Sequence, residues 1–441
     1  MKLEHAEAWL SELVNVERQP DLRRARLSLS PMRALLARLG EPQRGLRVLH
    51  VAGSKGKGSV ALIAEAILQE TGLRVGTYTS PHLERWVERF RIGGAEVADP
   101  RLAALIERLK PHVEALRDSP DAPSWFDVTT AAALCLFADE RVDCAVLEVG
   151  LGGRLDSTNV VEPSVCCITS IELEHTEKLG QTLSQIAGEK AGILKRGVPA
   201  VLGVLPDEAA AVVRERAGSL GVPLAVAQRD LGSRILCEDL EGSLARFDDG
   251  PLSFEARLGC LGEHQVGNAL LALAAVRRMG VVSDAALAEA APAALARVRL
   301  PGRIELAGRH PWLLIDSAHT AASARALGRV LARIERRSSH LVLSVSAGKD
   351  LGSICRALVP RADQVTVTRA EPVRSLTPPE VATAVRCVAP QAAVRVVPNP
   401  HLALRAARES LARDDLLCAT GSVYLAGIAR HVLRAPGPDA A

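Results

Sequence analysis

The chain has little that would tie it to an oxidising compartment, a bilayer or a polyanion. Its nine cysteines are Cys135, Cys144, Cys166, Cys167, Cys237, Cys260, Cys355, Cys387 and Cys418, and no two make a C-x-x-C pair. Most sit inside apolar runs such as 133–137 and 165–168, so small buried thiols in a reducing compartment are expected, not disulfides or a zinc site. No run of about 18 apolar residues occurs, which argues against a membrane-spanning helix. The first ten residues, MKLEHAEAWL, are charged and carry no apolar signal core, so a cytoplasmic protein is expected. Charge of one sign is missing too. The 54 basic and 51 acidic residues are interspersed and leave a net +3, which gives no reason to expect nucleic acid or a membrane surface as partner. Aromatics make up only 2% of the chain, a compositional bias without functional meaning.

What remains is soluble and globular, with 48% apolar and 24% charged residues. At 441 residues the chain exceeds one typical core, so two domains are expected. The most informative stretch is 49–60, LHVAGSKGKGSV. A strand-like run ending at Ala52 breaks into Gly53, Gly56 and Gly58 and resumes as the helix-like VALIAEAILQE. Glycines in a strand-to-helix turn let backbone N–H groups point inward, and the helix N-terminus adds partial positive charge suited to a phosphate. Lys57 supplies a mobile cation and Ser59 a hydroxyl able to reach a metal. The usual phosphate loop puts Ser or Thr directly after the lysine, whereas here Gly58 intervenes. Taken alone, the stretch leaves a nucleotide site and a merely glycine-rich turn both open.

Along the chain, 1–40 reads as helical, with Leu27, Met32, Leu35, Leu36 and Leu39 on an apolar stripe. A strand is expected at 73–79. The segment 79–94, TSPHLERWVERFRIGG, reads as a structured loop and short turn, not a core element. Helices follow at 100–116 and 126–138, then strand-like runs at 143–150 and 165–171, a helix at 182–194 and a strand at 199–204. Short alternating strands occupy 235–258, with Asp248-Asp249-Gly250 as a hairpin signal. Two helices reach about residue 297. Pro301-Gly302 then opens a new alternation with strands at 312–316, 340–345, 364–367, 394–396 and 416–419. Buried strands alternating with helices predict an α/β fold with a mainly parallel sheet, in two domains, 1–297 and 298–441, the second smaller.

In such sheets ligands gather at the carboxyl ends of strands. Three of those ends carry the loop with Ser59, then Glu148, then His175. A hydroxyl, a carboxylate and an imidazole make a sparse but usable magnesium shell. The bland alternatives are a Glu148 satisfied by a neighbouring helix N-terminus, a structural His175, and a solvated helical Lys190.

The segments HVAGSKGKGS, TSPHLERWVERFRI, EVGLGGRLDSTNVV, ITSIELEHTEKLGQTLSQIAGEKAGI, GEHQVGNA, PGRIE, DSAHT and TGSVYL stand in that order over nearly the whole chain. Together they resemble the folylpolyglutamate synthase/dihydrofolate synthase group of the Mur ligase family. The resemblance implies a central-type phosphate-loop ATPase domain followed by a Rossmann-like, glutamate-binding ligase domain. It implies that ATP phosphorylates a substrate carboxylate and the amine of L-glutamate displaces the phosphate. The substrates would be a folate or dihydropteroate, glutamate and ATP, on a monomer. Gly53, Gly56, Lys57, Gly58 and Ser59 would hold phosphate; Ser59 and Glu148 would hold a first Mg²⁺. His175 and a carbamylated Lys190 would serve a second, with K⁺ as a further ion. Asn268 would contact adenine, Arg303 the γ-phosphate and Asp316 the nucleotide. His319, Ser422 and Tyr424 would form the amino-acid pocket, with His319 also catalytic, and Thr79, Ser80, Pro81 and His82 would lie near the pterin.

Several positions depart from the commonest bacterial pattern. Ser54-Lys55 stand where Thr-Asn is usual, and Thr320-Ala321 where Asn-Pro is usual. Both resemble eukaryotic-type folylpolyglutamate synthases. Ser317, Gly348-Lys349-Asp350 and Gly93-Gly94 also differ, and together these positions leave the carboxylate acceptor open. A Mur-type amide ligase acting on a different acid, or a nucleotide-binding regulator without ligase activity, are the competing readings.

Overall fold

A computed structural model describes residues 1–15 and 28–434. Of the stretch 1–40 expected to be helical, Leu3–Ser11 and Ser30–Arg38 are helices; 16–27, with Leu27, lie outside the described residues. The first sheet has eight strands: β1 (Val48–Ala52), β2 (Val75–Tyr78), β3 (Phe90–Ile92), β4 (Ala95–Glu96), β5 (Cys144–Glu148), β6 (Val165–Ile168), β7 (Ala200–Leu202) and β8 (Leu224–Val226). Their order is β4-β3-β2-β5-β1-β6-β7-β8, parallel except for β3 and β4 at one edge. The central strands β1, β5 and β6 are buried along their whole length, as expected where helices cover both faces. β1 is flanked by β5 and β6, so the carboxyl ends of three strands converge on the loop that follows it.

A three-stranded antiparallel sheet follows, β9 (Leu231–Asp239), β10 (Gly242–Asp249) and β11 (Leu252–Leu258), with Gly250 in the turn between the last two. A third sheet orders β12 (Glu305–Arg309), β13 (Trp312–Ile315), β14 (Ser339–Leu343), β15 (Gln364–Val367), β16 (Ala393–Val396) and β17 (Leu416–Thr420) as β12-β13-β17-β14-β15-β16. Only its edge strand β12 is antiparallel. This is the separate C-terminal α/β domain.

One expectation is corrected. The segment 79–94 is not peripheral: a 3₁₀ turn, Trp86–Arg89, runs into β3, and Trp86, Val87, Arg89 and Phe90 are buried. The Trp86 and Phe90 rings meet edge to face at 5.7 Å. Charged Glu84, Arg85 and Glu88 break the apolar periodicity there; Glu88 accepts backbone N–H groups of the loop, while the exposed Glu84 and Arg85 pair with Arg430 and Asp99. Seven cysteines are buried and only Cys237 and Cys387 are exposed; none is paired. Among the described residues no helix is long and apolar enough to cross a membrane.

Candidate active site

The loop after β1 is strapped to the end of β6. Ser54 N–H donates to Ser170 O at 2.8 Å, Lys55 N–H donates to Ser170 Oγ at 2.8 Å, and Thr169 Oγ donates to Lys55 O at 2.5 Å. Gly56 caps the helix Lys57–Glu70 with φ +84°, a conformation that L side chains rarely adopt, and a Cβ there would lie 2.5 Å from Asn268 Oδ1. Asn268, on the helix Glu263–Met279, is steadied by its donation to Gln265 Oε1 at 2.8 Å. The intervening Gly58 also has a structural reason. A Cβ at Gly58 would sit 3.3 Å from Glu148 Oε2 and 3.6 Å from Arg303 Nη2. The extra glycine is therefore where a strand-end carboxylate from β5 and a guanidinium from the start of the second domain both close on the loop. Lys57 curls back across the loop to Gly53 O at 2.9 Å, and Ser59 is buried in the first helical turn.

Glu148 is only 4% exposed and accepts the Ser80 N–H at 2.9 Å. Burial pushes its pKa up, opposed by Lys57, the Ser80 hydrogen bond, Arg303 and Arg89. This contact ties the 79–83 loop to the strand end. The rest of that loop is held by residues the sequence reading did not single out. Glu88 accepts the N–H groups of Leu83, Glu84 and Arg85 at 2.7–2.8 Å. Thr79 N–H donates to Arg89 O at 3.1 Å. The fully buried Arg89 lies 4.6 Å over the Trp125 ring and donates to His82 Nδ1 at 3.0 Å. Pro81 follows Ser80 through a cis peptide. Leu83 packs against the core of the C-terminal domain, and Arg430 bridges Glu84 and Glu305 at 3.4 and 3.1 Å.

On the other side of the loop stands a second cluster. Lys190, 1% exposed, donates to Glu174 Oε1 at 3.0 Å, and Lys55 lies 3.6 Å from Glu174 Oε2. Burial lowers the Lys190 pKa to about 8 against the pull of Glu174. Burial works to raise Glu174, but the charges of Lys57, Lys190 and Lys55 outweigh it and hold the carboxyl near 2. His175 is exposed and takes a left-handed conformation, φ +47°, at the start of a short helix, Thr176–Leu179. Glu174 is thus a pivot that sequence reasoning missed; its position next to His175 in ELEH was the available signal.

Among the described residues no group of three or more His, Cys, Asp or Glu side chains is arranged to hold a metal. The predicted set contains only Glu148 and His175 of those types. The buried Glu148 carboxylate beside Ser59 and the phosphate loop offers the hard oxygen donors Mg²⁺ prefers, and fits it. An unmodified Lys190 ammonium does not fit a second cation.

The C-terminal domain contributes through the β13 end. Asp316 accepts the N–H of Ile304 and of Ala318 at 2.8 Å each, so both its oxygens fasten the inter-domain segment. Even so, burial raises its pKa to about 6. Ile304 is left-handed at φ +50°, a strain of about 1–3 kcal/mol for such a residue, held by that Asp316 contact. Arg303, one residue earlier, reaches Ser317 Oγ at 3.1 Å. His319 Nδ1 donates to Ser317 O at 2.8 Å, and its Nε2 lies 2.9 Å from Lys55 Nζ. Burial and then Lys55 lower the His319 pKa to about 3. Ser422 accepts the Leu425 N–H at 3.1 Å, and Arg374 donates to the Tyr424 hydroxyl at 3.4 Å. The structure thus brings together the loop, Glu148, Ser80, Asn268, Arg303 and His319. It places the Tyr424 hydroxyl beside Arg374.

Residues 51–276 match the Mur ligase middle domain, and residues 302–423 match the Mur ligase glutamate ligase domain. A dihydrofolate synthase/folylpolyglutamate synthase of Bacillus subtilis is 37% identical over 330 residues, 73% of this chain and 76% of that protein. The chain belongs to the folylpolyglutamate synthase/dihydrofolate synthase group of Mur ligases. A probable bifunctional folylpolyglutamate synthase/dihydropteroate synthase of Halobacterium salinarum is 36% identical over 403 residues, which are 90% of this chain but 48% of that protein. The chain therefore spans about half the length of that relative. The crystal structure of Mycobacterium tuberculosis folylpolyglutamate synthase with ADP superposes with a TM-score of 0.86 at 32% identity, covering 99% of both chains. In this Mur ligase the middle domain carries the phosphate loop and Glu148, while the glutamate ligase domain carries Asp316, His319 and Ser422, with Tyr424 just past its matched end.

Proposed function

We propose that this protein is an ATP-dependent ligase that joins L-glutamate to the carboxylate of a folate or of dihydropteroate through an acyl phosphate. The observation that carries the reading is the Ser80–Glu148 hydrogen bond, which sets the acceptor-side loop on the carboxylate flanking the phosphate loop. In this reading Gly53, Gly56, Lys57, Gly58 and Ser59 hold the phosphates, Asn268 the adenine, and Arg303 the γ-phosphate. Asp316 serves the nucleotide indirectly, by fixing the segment that carries Arg303. Thr79, Ser80, Pro81 and His82 border the pterin, and His319, Ser422 and Tyr424 receive glutamate on residues 298–441. Their cleft partner is 1–297.

Ser59 and Glu148 would hold one Mg²⁺, which supplies charge neutralisation on the transferring phosphoryl group. A second ion would use His175 and Lys190, with Lys190 as its carbamate, which turns a repelling cation into an oxygen donor beside Glu174. K⁺ is the remaining ion of the proposal. Acyl phosphates hydrolyse, so the cleft must exclude water while the amine approaches. The packing of Leu83 on the second domain, and the Arg430 bridge from Glu84 to Glu305, supply walls for that closure. Free buried thiols suit a reducing compartment, the cytoplasm in this reading, and a monomer completes the shape of the proposal.

The test is direct. Purified protein is incubated with ATP, Mg²⁺ and glutamate, plus either dihydropteroate or tetrahydrofolate, and ADP and the glutamylated product are followed by mass spectrometry. Product with neither acceptor would sink the reading in favour of another acid substrate. ATP binding without turnover on any acid would favour a regulator.

A further inference from the structure

Lys55 has no part in the roles assigned above, yet it makes a direct contact between the phosphate loop and the glutamate ligase domain. Its backbone is pinned on both sides: the N–H donates to Ser170 Oγ, and the carbonyl accepts from Thr169 Oγ and Ser170 Oγ. From that fixed base the side chain reaches His319 Nε2 at 2.9 Å, across 264 residues of sequence, with Glu174 Oε2 at 3.6 Å. The tautomer follows from the partners. A carbonyl can only accept, so His319 Nδ1, 2.8 Å from Ser317 O, carries the ring proton. Nε2 then presents its lone pair, and the Lys55 ammonium, which can only donate, points into it.

We infer that Lys55 is a positioning residue for the amine-transfer half of the reaction: it aims the His319 Nε2 lone pair into the cleft and yields it to the ammonium of glutamate once a phosphoryl group gives Lys55 an anionic partner. The inference rests on the ligase reading above. An amino-acid amine is protonated at neutral pH and is no nucleophile until it loses a proton. The ammonium passes one proton to His319 Nε2. Its freed electron pair forms the C–N bond at the acyl carbon, and the C–O bond to phosphate breaks with its electron pair on the departing oxygen. The second N–H proton leaves with that phosphate, and His319 returns its proton to water. Burial is the largest influence that keeps His319 unprotonated, and Lys55, Lys349 and Arg303 add to it; a triphosphate would neutralise that cationic share and so raise the basicity of His319 when substrate is bound.

Hydroxylamine separates this role from one in phosphoryl transfer, because it is already a free amine at neutral pH and captures acyl phosphates without help. Wild type, Lys55→Met and Lys55→Arg are assayed for ADP release with ATP, Mg²⁺ and the folate acceptor, using glutamate or hydroxylamine as nucleophile. In Lys55→Met, kcat with glutamate should fall by about tenfold or more, the scale of a misplaced acid–base group. At saturating ATP, the maximal rate of ADP release with hydroxylamine should stay within about twofold, and Lys55→Arg should recover most of the loss. Equal losses with both nucleophiles, or no loss at all, would overturn the inference while leaving the ligase reading intact. A wild type inactive with both nucleophiles would overturn the ligase reading, and the inference with it. Should Lys55→Met fold poorly by thermal melting, Lys55→Asn is scored by the same ratio of nucleophiles.

Discussion

The backbone N–H of Ser80 donates to Glu148 Oε2 at 2.9 Å, so the carboxylate that flanks the phosphate loop also fixes the 79–83 loop, the proposed acceptor side. One carboxylate serves both loops, and the two parts of this contact can be separated by substitution. Glu148→Gln keeps a carbonyl oxygen for the Ser80 N–H but removes the negative charge. It should lose about 100-fold or more in kcat with little change in KM for the acceptor, since one preorganised charge contact is removed. Glu148→Ala removes both and should also raise the acceptor KM. Steady-state kinetics of the two variants check this; near wild-type turnover in Glu148→Gln would remove the carboxylate from the reaction.

Lys57 offers a cleaner removal. Its Nζ rests on Gly53 O at 2.9 Å and its side chain supports no core packing, so Lys57→Ala should keep the wild-type circular dichroism spectrum and melting temperature. Ligation should fall by about 3 kcal/mol of transition-state stabilisation, on the order of 100-fold. An unfolded variant, or one with unchanged ADP release, would refute a phosphate role for this lysine.

The strand alternation was legible because the central strands are apolar on both faces. The expected runs at 143–150, 165–171 and 364–367 contain β5, β6 and β15. The hairpin around Asp248-Asp249-Gly250 was equally readable, since turn chemistry is local. The edge strand β12 was missed: its residues Glu305–Arg309 are only partly buried, so no apolar pattern marks them. In the site, the spacing made the phosphate-loop residues candidates, and the resemblance of the downstream segments decided for a nucleotide site. Glu174 and Lys55 could not be named in this way, because their meaning lies in partners far along the chain, Lys190 and His319. The roles of half-buried Glu88 and buried Arg89 at the 79–83 loop were hidden for a different reason: charged residues read as solvated until their partners are seen. The family resemblance implies a nucleotide-binding Asp316, yet both of its oxygens accept backbone N–H groups.

Domain closure gives a prediction in solution. Arg303 stands where the second domain begins, next to Gly58 and bonded to Ser317 Oγ. Its side chain is thereby shared between the phosphate loop and the β13 end. Small-angle scattering should show compaction of the wild type on adding a non-hydrolysable ATP analogue and Mg²⁺, and Arg303→Ala should weaken that compaction without changing the radius of the free protein. The same compaction in both would take Arg303 out of the closing movement.

The last prediction concerns Lys190. Its amine is buried and pairs with Glu174 at 3.0 Å, and burial brings its pKa from the ordinary 10.5 down to about 8. The direction of the pH effect follows. Between pH 8 and 10.5 an unfolded lysine still holds its proton while the folded one has released it, so the unfolded state binds more protons and stability attributable to this group rises with pH across that window. Below pH 8 the buried ammonium imposes its full cost. Carbamylation needs the neutral amine to attack CO₂: the new N–C bond forms, the nitrogen loses a proton, and the product carries a negative charge. A neutral fraction that is already sizeable near pH 8 makes Lys190 the favoured lysine for this reaction, and the oxygens it gains suit Mg²⁺. Protein equilibrated with ¹³C-bicarbonate and Mg²⁺ should show a carbamate carbon signal by NMR that grows from pH 7 to pH 9, set by the titration of Lys190 near 8, and that is absent in Lys190→Ala. That variant should also lose ligation, with partial recovery on adding acetate, whose carboxylate can take up the vacated position. A wild-type spectrum lacking the signal across this range, in a preparation that ligates at full rate, would show that the unmodified amine is the active form.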